Sequence, residues 1–246
     1  MKKLVLVLLA VFFVISCKQK ETKNKVVIET KAKTMTQEDW EVLFDGTNLG
    51  KWTEYSKNSI SDNWKLENGA MVFYPPENKP EGESYNLVTK SEYTDFVLSL
   101  EWQISEGGNS GIFWGVKEKQ SLPEAYQTGP EIQVLDNTKH PDAKAGTTHQ
   151  AGALYDMIAP SKDVTKAVGE WNTCQITVNH KTNQGSVVLN GETIVKFSVN
   201  NPEWGAMVAK SKFADWPEFG KYTTGKIGLQ DHGDKVAYRN IKIKKL

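Results

Sequence analysis

The sequence predicts an all-β protein, a concanavalin A-like jelly-roll sandwich of two antiparallel sheets, and three observations carry that expectation. Apolar and polar residues alternate with period two in short runs, turn residues recur roughly every ten positions, and only residues 202–213 have plausible helical spacing. Around a dozen strands at hairpin spacing with almost no helix imply two sheets packed face to face. No internal repeat of fixed length is present, which argues against a propeller.

The first clear hairpin pairs residues 64–67 with 70–73 across Asn68-Gly69, a dipeptide suited to a tight turn. Phe96, Leu98, Leu100 and Trp102 then alternate with Val97, Ser99, Glu101 and Gln103, a strand with one apolar and one polar face. Residues 112–116 and 132–135 are further strands, separated by a loop holding Pro123, Gly129 and Pro130. A meander follows over residues 171–178, 185–189 and 193–199, its last two strands joined through Asn190-Gly191. Residues 226–230 and 236–243 close the domain.

Upstream of these strands, Lys2 and Lys3 precede an unbroken apolar run from Leu4 to Ile15 that ends on Val14-Ile15-Ser16-Cys17, a bacterial lipobox. About a dozen residues fall short of the roughly 20 that span a bilayer, so residues 1–17 read as a signal peptide. Cys17 is then the lipidated first residue of the mature chain, and several acyl chains would anchor it without embedding the protein. Residues 18–37, rich in Lys, Thr and Glu, read as a flexible tether, and residues 38–246 as a single sandwich domain. The expected location is the cell envelope, lipid-anchored at the outer membrane and facing the periplasm or the surface. The membrane is a partner only through the lipid anchor.

Composition narrows the partners. Thirty basic residues balance thirty acidic ones, and Arg239 is the sole arginine, so nucleic acid and phosphate ligands are disfavoured. Once Cys17 is lipidated, Cys174 is left without a disulfide partner and packing alone must hold the fold. There is no Gly-rich phosphate loop, Cys-x-x-Cys pair, His-Glu-x-x-His or Gly-x-Ser-x-Gly elbow. Eight Trp, eight Tyr and nine Phe are mostly core, with a minority free to line a sugar surface.

Polar residues concentrate in four segments, residues 107–114, 130–137, 148–156 and 228–233. Together with Phe44-Asp45-Gly46-Thr47-Asn48-Leu49 and Trp52, Gly169-Glu170-Trp171-Asn172, Leu189-Asn190-Gly191 and Tyr238-Arg239-Asn240-Ile241, the runs Asn109-Ser110-Gly111-Ile112-Phe113, Glu131-Ile132-Gln133-Val134-Leu135-Asp136-Asn137, Gly152-Ala153-Leu154-Tyr155 and Gly228-Leu229-Gln230-Asp231-His232-Gly233 resemble the 3-keto-disaccharide hydrolase family. That family was formerly catalogued as a domain of unknown function abundant in Bacteroidetes lipoproteins, and its fold is a concanavalin-like sandwich. The resemblance implies cleavage of 3-keto-glucosides or 3-keto-disaccharides, with a separate sugar oxidoreductase acting upstream. A ketone at C3 acidifies the C2 proton; its removal gives an enolate that expels the C1 substituent, and water then adds to the enone. Such chemistry needs a base near C2, donors around the C3 oxygen and an acid near the leaving oxygen.

Strand parity supplies candidates. Glu131 and Gln133 share a face opposite Ile132 and Val134, Glu101 and Gln103 share the polar face of their strand, and Gln230 and His232 share another. Glu131 and His149 are the expected proton-transfer groups, with Glu101, Gln133, Gln230 and His232 orienting sugar or enolate. Asn109, Trp114 and Tyr155 would supply hydroxyl recognition and a stacking surface. Convergence of His149, His232 and Glu131 would create a divalent-metal site, although no ligand spacing asks for one. Plainer readings stand beside these: Asp45-Gly46 and Asp136-Asn137 as turns, Arg239 as a buried tie, and His140 and His180 as solvent-facing loop residues.

Two other functions compete. A retaining sandwich glycosidase often places two carboxylates on one strand face about 5 Å apart, whereas the run here offers Glu131, Gln133 and Leu135. A non-catalytic carbohydrate-binding lipoprotein would show the same Trp-rich polar surface but would need no proton shuttle.

Overall fold

The computed structural model describes residues 39–246; the expected signal peptide, the lipidation expected at Cys17 and the expected tether lie outside the described residues. Thirteen strands, numbered in chain order, make two antiparallel sheets among these residues. The larger sheet runs Glu192–Phe197 (β11), Gln184–Leu189 (β10), Asn172–Asn179 (β9), Phe96–Ile104 (β6), Val236–Lys245 (β13), Ala70–Phe73 (β4) and Trp64–Glu67 (β3). Glu41–Phe44 (β1) also pairs with β13. The smaller sheet runs Trp52–Glu54 (β2), Leu87–Thr89 (β5), Lys226–Leu229 (β12), Asn109–Val116 (β7) and Glu131–Leu135 (β8). The chain is therefore the concanavalin-like sandwich that alternation predicts.

Local chemistry explains the turns. Asn68-Gly69 and Asn190-Gly191 all take positive φ, as a two-residue hairpin with the right-handed twist of its strands demands. Asp45 accepts the Thr47 N–H at 2.9 Å, so Asp45-Gly46 is a side-chain-stabilised turn. The predicted helix over residues 202–213 shortens to Pro202–Val208 (α1). Asn201 caps its start by accepting the Trp204 N–H, and Ser211 donates to the Val208 carbonyl, diverting the chain from further helical pairing. No helix among the described residues is long and apolar enough to cross a membrane.

The core lies between the sheets. Leu98, Leu100 and Trp102 of β6, Ile176 and Val178 of β9 and Ile243 of β13 meet Ile112 and Trp114 of β7, Ile132 and Val134 of β8 and Leu229 of β12. One polar tie crosses this apolar layer. Ser110 donates its single hydroxyl hydrogen to the Gln230 carbonyl at 2.7 Å, so Tyr238 from the opposite sheet donates to Ser110, also at 2.7 Å. The tie holds β13, β7 and the end of β12 together behind the site described below.

Replacing Tyr238 with Phe leaves a buried Ser110 lone pair without its donor, a loss of about 1–3 kcal/mol. The Tyr238→Phe protein is expected to unfold at lower urea concentration with an unchanged m-value; an unchanged midpoint would mean that the tie carries no net stability.

Candidate active site

On the smaller sheet, the face turned away from the core carries Asn109, Gly111 and Phe113 of β7, Glu131 and Gln133 of β8, and Gly228 and Gln230 on and just after β12. Register fixes this arrangement: Gly111 pairs with Gln133 and Phe113 with both Glu131 and Gly228. Two long connections roof it. The β8–β9 connection supplies Tyr155, and the β11–β12 connection supplies Lys212, Phe213 and Trp216; Tyr126 comes from a short 3-10 turn, Ala125–Gln127. Between sheet and roof is a cavity of about 350 Å³ that also admits Asn109, Glu131, Gln133, Gln230 and His232 to its lining.

Glu131 dominates its chemistry. A side chain at Gly111 would collide with the Glu131 carboxylate, so the carboxylate lies across the bare backbone of β7. Only 7 % of Glu131 is exposed, and no hydrogen bond to its carboxylate exists among the described residues. Burial accordingly pushes its pKa up to about 8; Lys212 pulls it down and Asp142 pushes it further up. Two neighbouring amide oxygens, Asn109 Oδ1 and Gln230 Oε1, are buried without partners, and both residues line the cavity. Unpaired polar atoms of this kind are costly, and a hydroxyl-bearing ligand would satisfy them.

Behind the roof runs a chain of charge-assisted bonds. Tyr155 donates its hydroxyl to Asp142 Oδ2 at 2.8 Å, Asp142 Oδ1 meets His149 Nδ1 at 2.7 Å, and His149 Nε2 meets Asp156 Oδ1 at 2.9 Å. Asp156 Oδ2 in turn accepts the Lys212 backbone N–H at 2.6 Å, while the Lys212 ammonium sits 4.1 Å from the centre of the Tyr155 ring. Burial and the Asp142 carboxylate both raise the Tyr155 pKa, so the phenol stays protonated. Burial acts to raise the Asp142 pKa as well, but the bonds from His149 and Tyr155 outweigh it and hold that carboxyl low.

The expected site residues therefore divide. Glu131, Gln133, Asn109, Tyr155, Gln230 and His232 come together around one cavity. His149 does not reach it, because both ring nitrogens are committed to aspartates and the ring packs at 4.7 Å behind Tyr155. Glu101 lies on the outer face of the larger sheet, where Arg239 and Asn240 donate to it at 2.8 and 2.7 Å. Trp114 faces inward, 5 % exposed, and packs on Phe197. His140 and His180 are not simple solvent-facing residues: His140 stands edge-on to His232 with ring centres 5.9 Å apart, and His180 packs against Asp95.

Tyr126, Lys212, Phe213 and Trp216 escape the sequence reading. The spacing of Phe213, Trp216 and Phe219 within a non-strand insertion is the one available signal, and Phe213 stacks on Phe219 at 3.8 Å to stiffen the roof. The expected metal set of Glu131, His149 and His232 does not assemble, since His149 is held by Asp142 and Asp156. The set that could hold an ion among the described residues is His140, His232 and Asp234. A larger groove of about 720 Å³ lies against β9, β10, β11 and α1, but its one acid, Glu203, already accepts from Ser198. A groove of about 430 Å³ on the larger sheet holds two carboxylates, Asp45 and Glu101, but Thr47 donates to the first and Arg239 and Asn240 donate to the second.

The fold is a two-sheet sandwich with one buried carboxylate in a cavity across its smaller sheet, and comparison with known proteins gives its family. Residues 39–244 match the 3-keto-alpha-glucoside-1,2-lyase-like domain, and the chain belongs to that family. A Bacteroides thetaiotaomicron protein named 3-keto-disaccharide hydrolase is 35% identical over 228 residues, which cover 83% of this chain and 77% of that protein. Two crystal structures from Parabacteroides distasonis, each provisionally described as a glycosyl hydrolase, are similar in fold. One superposes with a TM-score of 0.78 at 28% identity over 87% of this chain and 98% of its own; the other with 0.63 at 26% over 84% and 99%.

The raised Glu131 pKa has a stability signature. The folded protein holds a proton here that the unfolded chain releases near the ordinary carboxylate value, so this contribution is present at acid pH and is lost as pH rises through about 8. Glu131→Gln is expected to melt like the parent at pH 5 and several degrees higher at pH 9. Equal melting temperatures at both pH values would show that the carboxylate is not desolvated.

Proposed function

We propose that this cavity cleaves glycosides whose sugar carries a ketone at C3, by removal of the C2 proton, elimination of the C1 substituent and addition of water. One observation carries the reading: among the described residues Glu131 is the sole carboxylate lining the cavity, and it is a base of near-neutral proton affinity. A double-displacement glycosidase needs a second carboxyl about 5 Å away as nucleophile or acid. Proton abstraction beside a ketone needs one strong base and a cation for the developing oxyanion.

The residues take roles accordingly. Ionised Glu131, about a tenth of the population at pH 7, accepts the C2 proton, and the C–H electrons pass into the C2–C3 bond as the C3 oxygen takes the negative charge. The Lys212 ammonium is the cation available to that oxygen. Collapse of the enolate forms the C1–C2 double bond and breaks the C1–O bond; the protonated Glu131 returns its proton to the leaving oxygen. Water then adds at C1 and a proton at C2, so that the net reaction is hydrolysis. Asn109, Gln133 and Gln230 bind hydroxyls, and Trp216 with Tyr126, ring centres 5.9 Å apart, offers an aromatic wall. His149 is a positioning residue: through Asp142 it fixes Tyr155, and through Asp156 the backbone of Lys212. The lipobox at Cys17 supports placing the domain at the cell envelope, downstream of an oxidoreductase that installs the ketone.

The test is incubation of the protein in D₂O with a 3-keto-glucoside and with its unoxidised parent. Aglycone release from the keto sugar alone, with enzyme-dependent deuterium at C2 of the product, is the expected result. Glu131→Gln should lower turnover by about 10²–10⁴-fold while retaining ligand binding, and kcat/KM of the parent should rise with pH to a plateau above about 8. Release from the unoxidised glucoside, or cleavage without C2 deuterium, would overturn the reading.

A further inference from the structure

We propose that His140, His232 and Asp234 form a divalent-metal site at the mouth of the cavity, suited to a first-row cation of the zinc class. Their ligand atoms all lie within 4.8 Å of one another. Two imidazoles and one carboxylate are the donor set that such cations take when a position is left open for substrate or water. Bond lengths of about 2.0–2.1 Å put neighbouring ligand atoms near 3.4 Å apart in a tetrahedral site, so the trio stands open by little more than an ångström. This trio uses two of the four histidines in the chain.

The backbone is arranged to make the trio converge. Gly233, at φ +102°, turns the chain between His232 and Asp234, a conformation few other residues take easily. Asp234 is already oriented: its Oδ2 accepts the Asn109 backbone N–H at 3.0 Å, leaving Oδ1 for an ion. Without an ion His140 Nδ1 accepts the Asp142 N–H at 3.1 Å, so the ring hydrogen is on Nε2 and must move to Nδ1 before Nε2 can ligate. A neutral ring that ligates through Nε2 carries its hydrogen on Nδ1, so ion binding gives up that one capping bond. His232 lines the cavity directly, and Asn109 supplies both the bond to Asp234 and an unpaired buried oxygen beside it. An ion held here would face the substrate and polarise a ketone oxygen, supplementing Lys212. That role rests on the reaction proposed above, whereas the binding itself does not.

The two are separable by experiment. Purified full chain, stripped with a chelator and dialysed, is titrated with Zn²⁺, Mn²⁺ and Ca²⁺ alone by calorimetry, and its metal content is measured after gel filtration. Saturable binding of about one equivalent of Zn²⁺, weaker Mn²⁺ and little Ca²⁺ is expected, with a raised melting temperature in Zn²⁺. His232→Asn and Asp234→Asn, the latter able to keep the Asn109 bond, should each weaken Zn²⁺ by at least ten-fold while melting like the parent without metal. His180→Ala, remote from the trio, should leave the affinity unchanged. Absence of saturable binding, or affinity undiminished in both trio variants, overturns the site. If metal binds as expected but the keto-glucoside is not cleaved, the reaction falls and the site stands; if stripped protein that binds no metal cleaves it, the reverse holds.

Discussion

A carboxylate laid over a glycine in a β-ladder is the constraint on which this site is built. Glu131 can lie across β7 only because Gly111 presents no side chain, and beneath the roof it is left only 7 % exposed. The position is costly for a charge, and the raised proton affinity is the direct consequence. It is also fragile with respect to register. A one-residue slip of β8 would turn Glu131 and Gln133 into the core and bring Ile132 and Val134 out, so the apolar packing between the sheets is what aims the polar face.

Behind that face, two polar assemblies hold what the ladder alone cannot. Tyr238, Ser110 and the Gln230 carbonyl fix the end of β12 relative to β7, which sets where the Gln230 side chain enters the cavity. Asp142, His149 and Asp156 do the same for the roof, linking the loop that bears Tyr155 to the backbone of Lys212 in a separate insertion. Charge-assisted bonds on partly buried groups are stronger than neutral ones, and both ends of this bridge touch residues lining the cavity. A histidine in a Gly- and Thr-rich loop thus bridges two connections, and it stands behind the cavity rather than among its lining residues.

Much of the sandwich is legible because burial and backbone geometry write period two and Asn-Gly turns directly into the chain. Strands β1, β2 and β5 are not legible: each is only three or four residues long, and β2 and β5 are buried throughout, so no alternation marks them. Parity assigns a side chain to a face but never to a sheet. Glu131 and Glu101 look equivalent by parity, yet one faces the cavity and the other the far surface of the larger sheet beside Arg239. Trp114 fails for the opposite reason, since an aromatic ring next to polar residues on a strand reads as a platform while its own parity sends it into the core with Phe197. Lys212 leaves no trace in the sequence at all, because its place is set by the fold of an insertion.

The proposed chemistry would fit a cavity whose lining, among the described residues, holds one carboxylate. In a double displacement the sugar supplies no electron sink, so the protein must provide a nucleophile and an acid together. A ketone two carbons from the leaving oxygen moves the sink into the substrate, and the protein's task contracts to moving one proton and holding one oxyanion. Those demands conflict in a single cavity: the cation that steadies the enolate also lowers the proton affinity of the base. Lys212 and Glu131 show the compromise, for the lysine pulls the carboxyl down while burial keeps it near 8. Had the ammonium formed a direct salt bridge with Glu131, the base would be weak and the cation spent. Instead the ammonium is drawn over the rings of Tyr155 and Phe213, at 4.1 and 5.3 Å, and the two charges reach the same space from opposite walls.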